Sequence, residues 1–317
     1  MSDAPVKVGP LAEFAGAEVP GPAWFQAAIA AKPAQRIVQA GGTPIHYLQW
    51  GQRGKPGLLF VHGNGAHAYW WAFVAPFFSE YFNAVAMDLS GMGDSGRRER
   101  YSMEQFVDEQ ILVAEDAGLF EADRPPVIVA HSFGGFVTIL TGALHGQRLG
   151  GVVIVDSPVS PPERRDDGPP RRELRPHRIY PDLASALARF RLAPDQPCEN
   201  AYILDYIARK SLAKVDSGWT WKFDPSIWTR FSIGDMAERL RATRCRIALM
   251  RGELSELMPH EVGEYMFNVL GRQAPVVEIP QARHHVMLDQ PIAFISALRA
   301  LLADWEHSSP SRKAPGP

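Results

Sequence analysis

A chain of 317 residues, 46% apolar and 21% charged, is long enough to bury a sizeable core and has the balance of a globular protein. A net charge of -2 supplies no global field for nucleic acid or an anionic membrane, so neither is expected as a partner. The two cysteines, Cys198 and Cys245, are too few for a disulfide framework and lack metal-ligand spacing, so buried reduced thiols are expected.

The opening stretch "MSDAPVKVGPLAEFAGAEVPGP" lacks the basic region, apolar run and small-residue cleavage site of a signal peptide. No apolar run approaches the roughly 20 residues that span a bilayer. Together these give a cytoplasmic expectation. Residues 1–35 read as an N-terminal arm, with "AWFQAAIAA" a short amphipathic helix. From residue 44 short apolar runs alternate with helix-like segments. "PIHYLQWG", "GLLFVHG", "NAVAMDLSG", "VIVAHS", "GVVIVDSP", "RIALMRG" and "PVVEIPQA" read as strands. Most are apolar throughout rather than alternating, which suits strands covered on both faces. Between them, "YSMEQFVDEQILVAEDAGLF" has helical spacing and starts at a cap, Ser102. Strand followed by helix in succession predicts an α/β fold, a mostly parallel sheet with helices on both faces.

The alternation breaks over residues 158–241. That stretch opens with "SPPERRDDGPPRRELRPHR" and turns helical in "DLASALARF" and "ENAYILDYIARKSLAKV". An insertion late in the sheet, on the side where loops leave it, predicts a helical cap over a core of residues 36–157 and 242–306. The cap arginines are interleaved with acidic residues, the pattern of a solvated linker. The tail over 307–317 is expected to be disordered.

Chemistry-bearing residues gather at strand ends. "AHSFGG" places Ser132 between an apolar run and a helix, with Ala130 and Gly134 two residues away on either side. A serine on so sharp a bend needs small neighbours there, because larger side chains would collide across the turn. The following helix points its positive end at charge developing near Ser132. "VHGNGAHAYWW" follows another strand, and its glycines let a backbone N–H turn inward. Asn64 and Phe133 are the expected N–H donors to an oxyanion, while His62 reads as a buried hydrogen-bonding residue. "DLSGMGDSG" lacks the lysine of a phosphate loop and reads as a structural turn. "SGWTWKFDPSIW" brings Trp219 and Trp221 into the insertion. They and Trp70 must be covered either by the core or by a ligand, and are candidates for a substrate pocket.

"HGNG", "DLSGMGDS", "AHSFGG", a late "GELSE" and "HHVMLDQP", in that order, resemble the α/β-hydrolase superfamily with a cap domain, over about residues 36–305. The serine at the elbow resembles serine hydrolases and not the epoxide hydrolases or haloalkane dehalogenases, which carry aspartate there. The resemblance implies the order nucleophile, acid, histidine. In similar proteins the base lies four residues before the leucine and seven before the proline of the last motif, which selects His284 over His285. It also implies an acid in the loop after the penultimate core strand, here "RGELSELMP", which has glutamates and no aspartate. Loops of the form glycine-x-x-serine-acid favour Glu256 over Glu253. Asp156 is the fallback, its other reading being a capping carboxylate. A metal is not expected at His284 and His285, since adjacent side chains diverge and no acidic or thiol partner sits at ligand spacing.

The expected activity is hydrolysis of a small or medium apolar carboxylic ester, a small-molecule substrate, through an acyl-enzyme on Ser132, with no cofactor. A carbon–carbon bond hydrolase of ring-cleavage products on the same triad is the alternative. A non-catalytic binding protein of this fold is the alternative from another class.

Overall fold

The structure, a computed structural model, describes residues 8–164, 177–229 and 231–308. The chain enters through α1 (Ala23–Ala30), forms strands β1 (Ala34–Ala40), β2 (Thr43–Trp50), β3 (Gly57–Val61) and β4 (Asn83–Met87), and then helix α2 (Met103–Asp116). Next come β5 (Val127–His131), α3 (Phe133–His145) and β6 (Gly151–Val155). The insertion that follows contains α4 (Leu183–Leu187), α5 (Ala201–Lys210), β7 (Leu212–Val215), β8 (Gly218–Trp221) and α6 (Met236–Arg241). The core resumes with β9 (Ile247–Gly252), α7 (His260–Val269), β10 (Val276–Ile279), α8 (Val286–Asp289) and α9 (Pro291–Ser308).

Eight strands form one sheet in the order β1-β2-β4-β3-β5-β6-β9-β10. The β1–β2 and β2–β4 pairs are antiparallel, and every later pair is parallel. Strands β3, β4, β5 and β6 are buried at every position, as their unbroken apolar runs demand, and the core lies on both faces of the sheet. Because the central strands run parallel, the loops beyond their carboxyl ends meet along one edge, where such sheets place their functional groups.

The insertion is not wholly helical. The "SLAKV" segment, continuous with a helix in sequence pattern, leaves α5 after Lys210 and pairs as β7 with β8 across Asp216 and Ser217. The α6 helix packs against α3 and α7 and so belongs with the core helices. Much of the arginine-rich stretch, Arg165 to Arg175, lies outside the described residues.

The N-terminal segment is anchored to both parts. Phe25 of α1 is buried against Phe73 of the core and against Tyr202 and Tyr206 of α5, with ring centroids 5.9, 4.8 and 5.8 Å away. Arg209 of α5 donates to Gly16 O at 2.8 Å. Cys198 and Cys245 are free, half-buried thiols, and burial pushes each up to about 12. Among the described residues no helix is long and apolar enough to cross a membrane.

Candidate active site

Ser132 is the residue on which β5 turns into α3. Its φ of 52° and ψ of -119° hold it in a region that side-chain-bearing residues seldom occupy, as a strained elbow requires. The bend brings α3 so close to β3 that a Cβ on Gly134 would lie 2.4 Å from His62 O. Only glycine fits there, which is the physical content of the small-x-Ser-x-Gly pattern.

Ser132 Oγ lies 3.0 Å from His284 Nε2, and His284 Nδ1 lies 2.8 Å from Asp156 Oδ1. His284 comes from the loop between β10 and α8, and Asp156 follows β6, the strand beside β5. Asp156 is fully buried with a φ of 46°. Its Oδ1 also accepts from Ser255 Oγ at 2.6 Å, and its Oδ2 accepts from Gly252 N–H at 2.9 Å. A carboxylate held by these donors stays in place while its Oδ1 fixes His284 with the proton on Nδ1 and a lone pair on Nε2 toward the serine. The relay has the geometry of an activated nucleophile, its base and a group that orients the base.

The expectation of Glu256 as the acid is therefore corrected. Glu256 is exposed, and both ring nitrogens of His284 are taken, one by Ser132 and one by Asp156. Glu253 is also exposed and accepts from Gln281 N–H at 2.8 Å. The loop does reach Asp156, but through Ser255 Oγ and Gly252 N–H rather than through a carboxylate of its own. The serine that made the loop resemble a glycine-x-x-serine-acid motif is the residue that reaches Asp156.

Asn64 stands in the exposed turn after β3, and Phe133 is the first residue of α3, directly after the serine. His62 is buried and fully engaged: its Nδ1 bonds to Gly63 O at 2.7 Å and its Nε2 accepts from Leu89 N–H at 3.1 Å. Burial lowers its pKa and keeps it neutral. Asp88, at the head of the "DLSGMGDSG" turn, accepts from Ala68 N–H and Asp94 N–H and bonds His46 Nδ1 at 2.7 Å. That glycine-rich turn thus braces the loop after β3.

The insertion holds the His284 loop directly. Asn200 Nδ2 donates to Leu288 O at 2.7 Å and to Asp289 O at 3.0 Å. Gln196 Nε2 donates to Asp289 Oδ2 at 2.9 Å, and the same oxygen accepts from Arg283 N–H at 2.7 Å. Trp70 is buried with its ring 5.4 Å from that of His285. Trp219 and Trp221 sit on β8, half-buried, where Trp221 packs on Tyr180 and Phe190 of the insertion itself.

His131 is the residue that sequence reasoning passed over. It is buried one position before the serine, and its Nε2–H donates to His284 O at 2.9 Å, tying the elbow strand to the backbone of His284. Its place in the elbow pattern is an unspecified one, so no local signal marks it.

The family model described as the alpha/beta hydrolase family matches residues 58–298. Esterase Rv0045c of Mycobacterium tuberculosis is 26% identical over 277 residues, covering 85% of this chain and 89% of that protein. Its crystal structure superposes with a TM-score of 0.65 over 93% of this chain and 97% of that one. The 2-hydroxy-6-oxo-6-(2'-aminophenyl)hexa-2,4-dienoic acid hydrolase of Metapseudomonas resinovorans is 24% identical over 85% of this chain and 91% of its own length. The structure of E-2-(acetamidomethylene)succinate hydrolase has the same fold, with a TM-score of 0.71 at 19% identity over 86% of this chain and 99% of that one.

Proposed function

We propose that this chain, which belongs to the α/β-hydrolase family and is a hydrolase, cleaves a small or medium apolar carboxylic ester through an acyl-enzyme on Ser132. The observation that carries this reading is the relay of 3.0 and 2.8 Å from Ser132 through His284 to Asp156. Ser132 Oγ attacks the ester carbonyl while His284 Nε2 takes its proton. Asp156 stabilises the imidazolium that forms. The tetrahedral oxyanion is met by the backbone N–H groups of Asn64 and Phe133, each worth about 2.7–4 kcal/mol of barrier. His284 returns its proton to the leaving alcohol as the carbonyl reforms. A water then repeats the sequence on the acyl-enzyme, with His284 again the base, and releases the carboxylic acid.

The similarity to an esterase across nearly the whole chain supports the ester reading over the alternatives. The dienoic acid hydrolase, similar over a comparable length, is the reason to keep carbon–carbon cleavage as a second reading. A panel of p-nitrophenyl acetate, p-nitrophenyl butyrate and a dienone acid separates them. Turnover of the esters that Ser132→Ala abolishes is the expected result. Turnover of the dienone acid alone would replace the ester reading, and turnover of none would favour a binding protein.

A further inference from the structure

The insertion meets the loop of His284 through one short segment between α4 and α5. Its residues alternate in exposure: Asp195, Pro197 and Glu199 face solvent, while Gln196, Cys198 and Asn200 are half-buried. An extended chain gives that alternation, since successive side chains leave on opposite sides. All three inward side chains reach the loop. Asn200 Nδ2 donates to Leu288 O and Asp289 O, and Cys198 Sγ lies 3.9 Å from Leu288 O. Gln196 uses both ends of its amide. Its Nε2 donates to Asp289 Oδ1 at 3.2 Å and Oδ2 at 2.9 Å, and its Oε1 accepts from His285 N–H at 3.3 Å.

The same contacts account for the backbone beside the base. Residues 283–285 belong to no helix or strand, so their polar groups need partners from elsewhere. Asp289 Oδ2 accepts from Arg283 N–H, His131 Nε2–H donates to His284 O, and Gln196 Oε1 accepts from His285 N–H. Gln196 therefore bridges the residue after His284 to the carboxylate that closes the loop from within. Glutamine suits that bridge because one end of its amide donates and the other accepts. What the loop has to hold is His284 Nε2, 3.0 Å from Ser132 Oγ. A misplacement of about 1 Å can cost a reacting pair about a hundredfold in rate.

We infer that Gln196 and Asp289 are positioning residues through which the insertion holds His284 in line with Ser132, so that the relay is complete only while residues 194–200 are docked on the loop. The insertion then does more than cover the serine: any movement that lifts this segment withdraws the bonds that set the base. The positioning rests on the hydrogen bonds of Gln196 and Asp289, whereas its effect on turnover rests on the serine-hydrolase reading above.

Exchanging the two partners tests this. In Asp289→Asn the new amide keeps its oxygen for Arg283 N–H and turns its NH2 toward Gln196. Gln196 then sets its own NH2 against that group or, if it flips, against His285 N–H, so one pair of donors is left face to face. Adding Gln196→Glu restores an acceptor at both places and keeps the net charge. For Asp289→Asn, kcat with p-nitrophenyl acetate should fall about tenfold to a hundredfold while KM stays within about twofold. The double variant should recover most of that loss. Gln196→Met, which keeps the length and removes both bonds, should fall in the same direction and serves where Asp289→Asn does not fold. Thermal melts confirm folding. The far-downfield proton resonance of His284 Nδ1–H, identified by its loss in His284→Ala, should broaden in each single variant and sharpen again in the double. A loss of stability alone would not produce that pattern. Folded single variants that keep wild-type kcat and an unchanged proton signal, or a double variant no better than Asp289→Asn, would overturn the proposal. The proton signal following this pattern in a protein that turns over no ester would support the positioning and remove the hydrolase reading instead.

Discussion

Replacing Asp156 by asparagine tests which carboxylate orients the base, and the structure sets the size of the effect. The aspartate accepts Gly252 N–H on one oxygen and Ser255 Oγ–H and His284 Nδ1–H on the other. An asparagine can present only one oxygen. Turned toward His284, it would set its NH2 against Gly252 N–H, two buried donors face to face, at about 1–3 kcal/mol. Turned toward Gly252, it presents its NH2 to His284 Nδ1 and forces the proton to Nε2. That tautomer donates to Ser132 and cannot take its proton. The second arrangement satisfies more buried groups, so the variant should fold and be caught in the wrong tautomer. The known penalty for that error is about 10⁴-fold in kcat, or about 5.4 kcal/mol of barrier. Steady-state hydrolysis of p-nitrophenyl acetate measures it, beside a thermal melt to confirm folding. Glu256→Gln, at an exposed position, should stay within about twofold. Asp156→Asn retaining a tenth of wild-type kcat, or Glu256→Gln losing most of it, would refute the assignment.

Ser255→Ala removes a donor 2.6 Å from Asp156, a hydrogen bond to a charged group worth about 1.5–3 kcal/mol, so kcat should fall by about tenfold or more with KM little changed. Phe25→Ala should destabilise the protein by about 3–5 kcal/mol in urea unfolding, since the ring fills the junction of α1, α5 and the core, and an unchanged midpoint would contradict that anchoring role. Acid should weaken the fold early. His62, His67, His131 and His285 are buried and held below the ordinary histidine pKa, His67 at about 3. Below about pH 6.5 the unfolded chain therefore binds more protons than the folded one, so this stability is complete above that pH and is lost as pH falls. Each such histidine contributes up to about 1.4 kcal/mol per pH unit in that window, and a urea midpoint that stays flat from pH 6.5 to 5 would count against neutral burial.

The parts of the fold that burial dictates are the parts legible in the chain. β3, β4, β5, β6 and β9 are nearly continuous apolar runs because they are covered on both faces, and each reads as a strand. β1 is exposed along most of its length, so "AQRIVQA" offers no such run and merges into the arm. The β7–β8 hairpin is hidden because "ENAYILDYIARKSLAKV" keeps a helical pattern past the true helix end at Lys210. Ser132 and His284 are legible because their neighbours in the chain carry the constraint, Gly134 by close approach and the Leu288–Pro291 segment by its shape. Asp156 is not, since what qualifies it lies elsewhere: the adjacency of β6 to β5, and donors from Gly252 and Ser255 about a hundred residues on. In one dimension "VVIVDSP" is a strand ending in a capping carboxylate. His131 is silent for the same reason, its partner being a backbone carbonyl 153 residues away.

The central claim is that Ser132 is a nucleophile activated by His284, and peptide mapping after treatment with a fluorophosphonate probe tests it most directly. A single phosphonyl adduct on the peptide carrying Ser132, absent in Ser132→Ala and strongly slowed in His284→Ala, is predicted. An adduct elsewhere, no adduct at all, or labelling at the wild-type rate without His284 would contradict the account.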